Sequence, residues 1–285
     1  MAETQIPAAN ADQIAYWNTT AGATWTAMQE ALDGQIQPLG VAAMAALNLK
    51  PGERVIDIGC GCGQTTLALA GQVGAHGSVT GVDVSSPMLA VARKRIEAAA
   101  LAQASVTQAD AQTHPFAPAA ADAVFSRFGV MFFEDPTAAF ANIRKGLKPG
   151  GRLAFVCWRP FAENPWMAVP LAAAQPLFAE PAPPADPLAP GPFAFADPER
   201  VRGILAGAGF TDIALTPQDK AIGAPDLDQA VETALKVGPL GARLREAPHM
   251  GGAVIAAVRE ALAAHATPEG VRLASATWIV TARRP

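Results

Sequence analysis

Gly59, Gly61 and Gly63 alternate with cysteines directly after a run of β-branched residues. None of the three carries a Cβ, so the backbone can turn tightly there and come close to a ligand. Gln64 and Thr65 follow and open a helix, so that free backbone N–H groups and the positive end of the helix dipole point back at the loop. These residues predict a cradle for a polar, nucleotide-like ligand.

Carboxylates close the next two predicted strands. Asp83 ends the predicted strand 77–82 and lies 20 residues after Gly63, where a carboxylate can accept hydrogen bonds from the two hydroxyls of a ribose. A helix cap or a plain surface position is the alternative interpretation of Asp83. Asp110 follows the third predicted strand, 105–109. We expect both carboxylates to face the same ligand as the glycines.

The elements that must position these residues alternate between strand and helix. Strands are predicted at 55–58, 77–82, 105–109, 121–126, 152–158, 211–217 and 271–282. This alternation predicts a doubly wound α/β sheet, in which ligands lie outside the carboxyl ends of the strands where the winding reverses. Gly59, Asp83, Asp110, Arg127 and Trp158 all follow strands at that edge. One crevice would hold them all.

A helical segment, 12–49, precedes the first strand, and we expect interruptions near Gly22, Gly34 and Pro38. Its three aromatic residues within ten positions are Tyr16, Trp17 and Trp25. Two interpretations are open for them: core packing of a helical extension, or a lid that covers a ligand.

Cap-forming insertions are predicted further along the chain. The segment 160–192 is too rich in proline for a long helix and too apolar for a typical disordered linker, so we expect an ordered insertion with a short helical turn near 166–177. Two further apolar helices are predicted at 226–237 and 251–265. The predicted domains are an N-terminal helical lid (1–49) and a main domain (50–285) with cap insertions at about 160–195 and 224–268.

Composition narrows the class of protein. The net charge of -4, from 21 basic and 25 acidic side chains, offers no electrostatic footprint for nucleic acid. The spacing of Cys60 and Cys62 suits neither a zinc site nor a redox pair, so we predict no metal and three buried, reduced cysteines. The first ten residues do not resemble a signal peptide, and no apolar run is long enough to span a membrane. We expect a cytoplasmic protein.

Five motifs in order resemble the class I S-adenosylmethionine-dependent methyltransferases, in particular their type-11, ubiquinone-biosynthesis-like branch. The motifs are VIDIGCGCG at 55–63, GVDVSSPML at 81–89, QADAQ at 108–112, DAVFS at 122–126 and LKPGG at 147–151. The resemblance covers about 50–158 well and the ends loosely. It implies a Rossmann-like sheet of seven strands whose last strand is antiparallel, with S-adenosylmethionine as cofactor and S-adenosylhomocysteine as its product.

The resemblance also implies roles for individual residues. Asp57 would orient the amino group of the cofactor, directly or through water. Asp83 would bind its ribose hydroxyls, and Asp110 would accept from the adenine amino group. The backbone near the methionine part and the sugar would come from Gly59, Gly61, Gly63, Gln64 and Thr65. The residues lining the adenine would be Val84, Met88, Ala111 and Gln112. Those beside the sulfonium would be Ser126, Arg127 and Phe128, with Trp17 and Trp25 covering the cofactor from the lid.

Methyl transfer from a sulfonium is an in-line displacement with a good leaving group, so the protein mainly has to align donor and acceptor and exclude water. A general base is needed where the acceptor must lose a proton. The candidates near the strand ends are Tyr16, His114, Arg127 and Glu163. Arg127 could instead form a salt bridge with Glu134 or Asp135. Ser126–Gly129 lacks the Asn/Asp-Pro-Pro-aromatic tetrad of amino-methylating nucleic-acid enzymes, so we expect a small aromatic or apolar acceptor.

Two other functions are kept open. The first is a catalytically inactive S-adenosylmethionine-binding sensor or partner protein. The second is an NAD-dependent dehydrogenase, which the loop disfavours because its fingerprint requires glycine or alanine where Gln64 stands. A homo-oligomer is compatible with the sequence, which does not decide the oligomeric state.

Overall fold

The computed structural model describes residues 9–180 and 186–285. Residues 1–8 of the predicted lid and 181–185 of the predicted first insertion lie outside this part. The helices are α1 (Ala11–Asn18), α2 (Thr20–Ala27), α3 (Gln29–Leu47), α4 (Gln64–Val73), α5 (Ser86–Ala98), α6 (Pro136–Gly146), α7 (Pro165–Ala174), α8 (Pro198–Gly207), α9 (Leu227–Lys236), α10 (Gly238–Glu246) and α11 (Gly251–Ala263). The strands are β1 (Arg54–Ile58), β2 (Ser78–Asp83), β3 (Ala104–Gln108), β4 (Ala121–Arg127), β5 (Leu147–Trp158), β6 (Thr211–Ala224), β7 (Ala266–Thr267) and β8 (Gly270–Arg283).

One mixed sheet runs through the protein in the order β3-β2-β1-β4-β5-β8-β6, and the short β7 pairs with β8. Strands β1 to β5 are parallel, whereas β8 is antiparallel to both β5 and β6. The predicted doubly wound α/β sheet with an antiparallel last strand is therefore confirmed. The winding reverses between β1 and β4, which places a crevice at the carboxyl ends of these two strands.

The parallel strands form because their β-branched and aromatic residues are buried on both faces. Val55 and Ile58 of β1 and Val124 and Phe125 of β4 are each at most 2% exposed. Helix α6 starts where its capping residue predicts. The Asp135 side chain accepts a hydrogen bond from the Ala138 N–H at 2.9 Å, and a proline occupies the first turn. Local sequence and burial thus agree along this half of the chain.

Helix α3 differs from the prediction, because it continues through both Gly34 and Pro38. Leu32, Ile36 and Leu39 of this helix are at most 5% exposed, and α3 packs against the sheet. The burial of six apolar residues along α3 offsets the backbone hydrogen bond that Pro38 removes. The predicted interruptions at these two positions are wrong, and so is the one near Gly22, which lies inside α2.

Strand β5 also differs, because it begins at Leu147, so that the LKPGG motif lies inside the strand and not before the predicted start at residue 152. Gly150 has φ of +73°, and the register between β4 and β5 shifts between Ala121 and Ala123. A bulge therefore absorbs the turn residues, which keeps the remainder of β5 paired with β4.

Helices α7, α9, α10 and α11, which we call the cap helices, enclose a second apolar core. Its centre contains Ala174, Val231, Leu240, Val254 and Val258, each at most 3% exposed. Helix α10 was not predicted. The division of the chain into lid, main domain and insertions stays a prediction. Across 9–180 and 186–285, no helix has the length and apolar character to cross a membrane.

Candidate functional site

A cavity of about 560 Å³ opens at the carboxyl ends of the parallel strands, between the sheet, helices α1 to α3 and the cap helices. The predicted site residues that line it are Tyr16, Trp17, Trp25, Gly59, Gly61, Thr65, Asp83, Val84, Met88, Asp110, Ala111, Arg127 and Phe128. Trp158 lines it too, so the five strand-end residues expected to share one crevice do so. The predicted site residues that do not line the cavity are Asp57, Gly63, Gln64, Gln112 and Ser126.

The glycine loop forms the floor of the cavity. Gly59, Gly61 and Gly63 have φ of +67°, +52° and +83°, a conformation that side chains rarely adopt. A Cβ on Gly59 would lie 2.6 Å from the Cα of Gly129, which follows β4. The two loops at the point of reversed winding therefore approach each other as closely as two backbones can.

Asp57 lies fully buried behind this loop. Its Oδ2 accepts hydrogen bonds at 2.7 Å from the hydroxyls of Thr65 and Thr66. Its Oδ1 is buried and has no partner among the residues the structure describes. Burial raises the pKa of Asp57 to about 6, although the two threonine hydroxyls and the charge of Arg127 oppose this shift. A buried carboxylate oxygen with no protein partner suits the ammonium group of a bound molecule.

Asp83 is held by backbone groups. Its Oδ2 accepts from the Gly61 N–H and its Oδ1 from the Ser85 N–H, each at 2.8 Å. Burial raises the pKa of Asp83, and these N–H groups oppose the rise. Since an ionised carboxylate has about four acceptor positions, each oxygen keeps one for a ligand hydroxyl.

Asn10 closes the neighbouring side of the cavity and was missed by the sequence prediction. Its Nδ2 donates to both carboxylate oxygens of Asp110, at 3.0 and 2.9 Å, and to Oε1 of Gln112 at 3.2 Å. Its Oδ1 accepts from the Glu134 N–H at 2.6 Å. Asn10 is 5% exposed, and it ties the start of α1 to the loops after β3 and β4.

Arg127 pairs with a carboxylate of helix α3. Its guanidinium donates to Oδ1 of Asp33 at 3.1 Å and to Oε1 of Gln64. Burial lowers the pKa of Arg127, and Asp33 opposes that shift. The predicted alternative, a salt bridge to Glu134 or Asp135, is wrong, because the acidic partner comes from α3.

Asp33 is the centre of this network and was also missed. Its Oδ2 accepts from Arg95 at 2.9 Å and from Gln29 at 2.5 Å. Arg95 in turn donates to the carbonyl of Cys62 in the glycine loop at 2.8 Å. One lid carboxylate therefore connects the loop, helix α5 and the end of β4.

The lid aromatics form a cluster at the cavity. Trp17 makes edge-to-face contacts with Tyr16 at 5.5 Å, Trp25 at 6.0 Å and Phe132 at 5.2 Å between ring centroids. Tyr16 remains 41% exposed. The two predicted interpretations were core packing and a lid over a ligand. In the structure these rings both pack on one another and line the cavity.

The other predicted candidates lie apart from the cavity lining. Ser126 is buried, and its hydroxyl accepts from the Gly129 N–H at 3.2 Å. His114 packs edge-to-face on Phe116 at 4.8 Å, and Glu163 pairs with Arg159.

The cysteines are all free and buried, as predicted. Cys60 and Cys62 line the cavity, and burial raises the pKa of Cys62 to about 11. A thiol with such a pKa holds its proton at neutral pH and is a poor nucleophile. Within the described ranges no three His, Cys, Asp or Glu residues are grouped to hold a metal ion.

The wall beyond the glycine loop is aromatic. The ring of Phe128 stacks on Trp158 with 4.2 Å between centroids and 9° between planes. Trp158 contacts Trp166 of α7 at 5.1 Å. This wall can hold a flat apolar group beside the residues that follow β4.

Comparison with known proteins agrees with this geometry. A methyltransferase domain family matches residues 55–151. The demethylmenaquinone methyltransferase of Bacillus cereus is 34% identical over 110 residues, which are 39% of this chain and 46% of that protein. The chain thus spans about half the length of the curated relatives it matches.

Solved structures share the fold. The YcgJ protein of Bacillus subtilis superposes with a TM-score of 0.56 at 15% identity over 86% of this chain and 97% of that one. Phosphoethanolamine N-methyltransferase 2 of Haemonchus contortus, in complex with S-adenosylhomocysteine, superposes with a TM-score of 0.53 at 20% identity over 87% and 52% of the chains. Residues 55–151 of this chain are therefore similar to a methyltransferase domain, and the fold around them is that of these solved structures.

Proposed function

We propose that this protein transfers a methyl group from S-adenosylmethionine to a small aromatic or apolar acceptor. One observation carries the proposal: the glycine loop, the carboxylate of Asp83 and the aromatic wall from Phe128 to Trp166 border a single cavity of about 560 Å³. Ligand pockets for small molecules measure roughly 300 to 1,000 Å³, so this volume suits a cofactor and an acceptor side by side.

The residues fit the cofactor group by group. Because Asp57 does not line the cavity, its unpartnered Oδ1 would orient the ammonium group through water, and Asp83 would take the ribose hydroxyls. Val84 and Met88 line the cavity where the adenine ring would lie, and Asp110 would accept from its amino group. Because Asn10 already bonds both Asp110 oxygens, the adenine amino group has to share this carboxylate or displace Asn10.

S-adenosylmethionine supplies a methyl group on a positively charged sulfur, which leaves as the neutral sulfur of S-adenosylhomocysteine when the acceptor atom bonds the methyl carbon. The chain's part is to hold the acceptor in line and to exclude water. Phe128 and Trp158 would fix the plane of an aromatic acceptor, and Trp17 and Trp25 would cover the site. Such alignment can contribute up to about 7 to 11 kcal/mol to catalysis.

Tyr16 and Arg127 stay the candidates for direct roles in catalysis. The exposed hydroxyl of Tyr16 could pass a proton from the acceptor to solvent. Arg127 could stabilise a phenolate, while it also pairs with Asp33, the carboxylate that it shares with Arg95. The Tyr16→Phe variant distinguishes these two roles, because it removes the hydroxyl and leaves the ion pair of Arg127 and Asp33 in place.

Incubation with methyl-labelled S-adenosylmethionine and a panel of phenols, quinols and amines tests the proposal. We expect labelled product with at least one acceptor, together with one S-adenosylhomocysteine per methyl transferred. Binding of S-adenosylhomocysteine without transfer to any acceptor would support the inactive sensor instead. No binding of either cofactor form, by calorimetry on the folded protein, would refute both. Binding of nicotinamide cofactors would support the dehydrogenase.

A further inference from the structure

A side chain of the protein itself occupies one carboxylate of the proposed cofactor site. Asn10 lines the cavity, and its Nδ2 donates to Oδ1 and Oδ2 of Asp110 at 3.0 and 2.9 Å. The backbone N–H of Gln112 donates to Oδ1 at 2.9 Å, and the hydroxyl of Thr113 makes a longer contact of 3.5 Å with Oδ2. Since a carboxylate has about four acceptor positions, little of Asp110 is left for a ligand.

The carboxamide of Asn10 offers the same pair of groups as the edge of an adenine ring. An amide presents an NH₂ donor beside a carbonyl acceptor, and adenine presents an amino donor beside a ring nitrogen that accepts. The donor of Asn10 faces Asp110, while its Oδ1 accepts from the Glu134 N–H at 2.6 Å. The backbone N–H of Asn10 donates in return to Oε2 of Glu134 at 3.0 Å. Asn10 therefore makes the kind of paired hydrogen bonds that an adenine would make here.

The helix that follows Asn10 is attached mainly by polar contacts at its two ends. Helix α1 buries none of its eight residues. At its far end, Nδ2 of Asn18 donates to the carbonyl of Val84 at 2.9 Å, and the hydroxyl of Ser85 donates to the carbonyl of Trp17 at 2.7 Å. Breaking the Asn10 contacts would thus free the start of α1, whereas the end that carries Trp17 stays attached.

We infer that Asn10 is an internal competitor of the cofactor. In the free protein its carboxamide takes the position of the adenine amino group at Asp110, and cofactor binding displaces it and releases the start of α1. The observed affinity for the cofactor is then lower than the site itself would give, by the fraction of molecules in which Asp110 is free. This inference rests on the proposed function and assigns a lid residue that regulates its cofactor site.

Calorimetric titration with S-adenosylhomocysteine of the wild type, Asn10→Ala, Asp110→Ala and the double variant tests it. Asn10→Ala should bind about tenfold more tightly than the wild type, because the wild type first has to break a hydrogen bond to a charged group. In the Asp110→Ala background the Asn10→Ala change should have no effect on affinity, because the carboxylate for which the two groups compete is gone.

The matched control is Asn18→Ala, which removes the same side chain from the other end of α1 and leaves the Asn10 contacts with Asp110 in place. It should not tighten binding. Equal tightening by Asn18→Ala and Asn10→Ala would show that loosening of the lid is responsible, and would overturn the inference. Unchanged or weaker binding by Asn10→Ala would overturn it too.

The proposed function fails in a different way. If the wild type and all variants fail to bind S-adenosylhomocysteine, the proposed function falls and this inference with it. If the wild type binds and Asn10→Ala does not bind more tightly, only the inference falls. Thermal unfolding of each variant verifies that it is folded.

Discussion

The two halves of the cavity are built differently. In the cofactor half, Asp57 and Asp83 are fixed by hydrogen bonds from groups close to them in sequence, such as the hydroxyl of Thr65 and the N–H of Ser85. In the acceptor half, the lining residues Phe128, Trp158 and Trp166 come from the position after β4, from β5 and from α7, so that distant parts of the chain form the wall. The cofactor half is therefore encoded in short motifs, whereas the acceptor half depends on the tertiary arrangement of the lid and cap helices.

The largest effect on stability is expected at Asp33, which connects α3 to α5 and to the end of β4. Asp33→Ala would leave Arg127 and Arg95 without their carboxylate, and removal of one partner from a buried ion pair costs about 3 to 5 kcal/mol. Arg95 is partly exposed, so we expect about 3 kcal/mol less unfolding free energy. Chemical denaturation measures this change in the free energy of unfolding. Asp228→Ala, which removes an exposed pair with Arg259, is the control and should change little. Equal effects of the two variants would contradict the account.

A smaller effect, on stability and on cofactor affinity, should distinguish the glycine loop from an ordinary turn. Gly59→Ala would meet a left-handed backbone and a contact of 2.6 Å with Gly129. Gly52→Ala also faces a positive φ, of +87°, but nothing lies within 4 Å of the added Cβ. The left-handed conformation costs about 1 to 2 kcal/mol in both, and Gly59→Ala should lose cofactor affinity in addition. Calorimetric titration with S-adenosylhomocysteine compares them, and unchanged affinity in Gly59→Ala would count against the cradle.

Asp83→Ala tests the ribose position. It should weaken cofactor binding by about 1 to 3 kcal/mol, the usual cost of leaving hydrogen-bonding groups unpaired. Asp122→Ala is a control at the opposite end of β4, where the carboxylate pairs with Lys148. An affinity unchanged by Asp83→Ala would rule out the ribose assignment.

The smallest predicted effect is a pH dependence of cofactor binding. With a pKa of about 6, Asp57 holds a proton below that pH and cannot pair with an ammonium group. Affinity should therefore fall as pH decreases through 6, to about a tenth of its pH 7 value at pH 5. Asp57→Asn cannot ionise and should flatten this slope. The same slope in both proteins would show that another group is responsible.

Much of the fold could be predicted because its determinants are local. The β-branched run of β1, the Asp135 cap and the five motifs each act within a few residues. Asn10 and Asp33 could not be predicted, because their partners lie 100 and 94 positions away, at Asp110 and Arg127. The continuity of α3 through Pro38 was missed for a related reason, since burial against the sheet overrides the local cost of proline.

A crystal structure with S-adenosylhomocysteine tests the central claim most directly. We expect the ribose hydroxyls within hydrogen-bonding distance of Asp83, the amino group linked through water to Oδ1 of Asp57, and the sulfur facing Phe128 and Trp158. The sulfur would then point from the cofactor half toward the acceptor half. A molecule bound elsewhere, or bound with its ribose away from Asp83 and its sulfur away from the aromatic wall, would contradict the account.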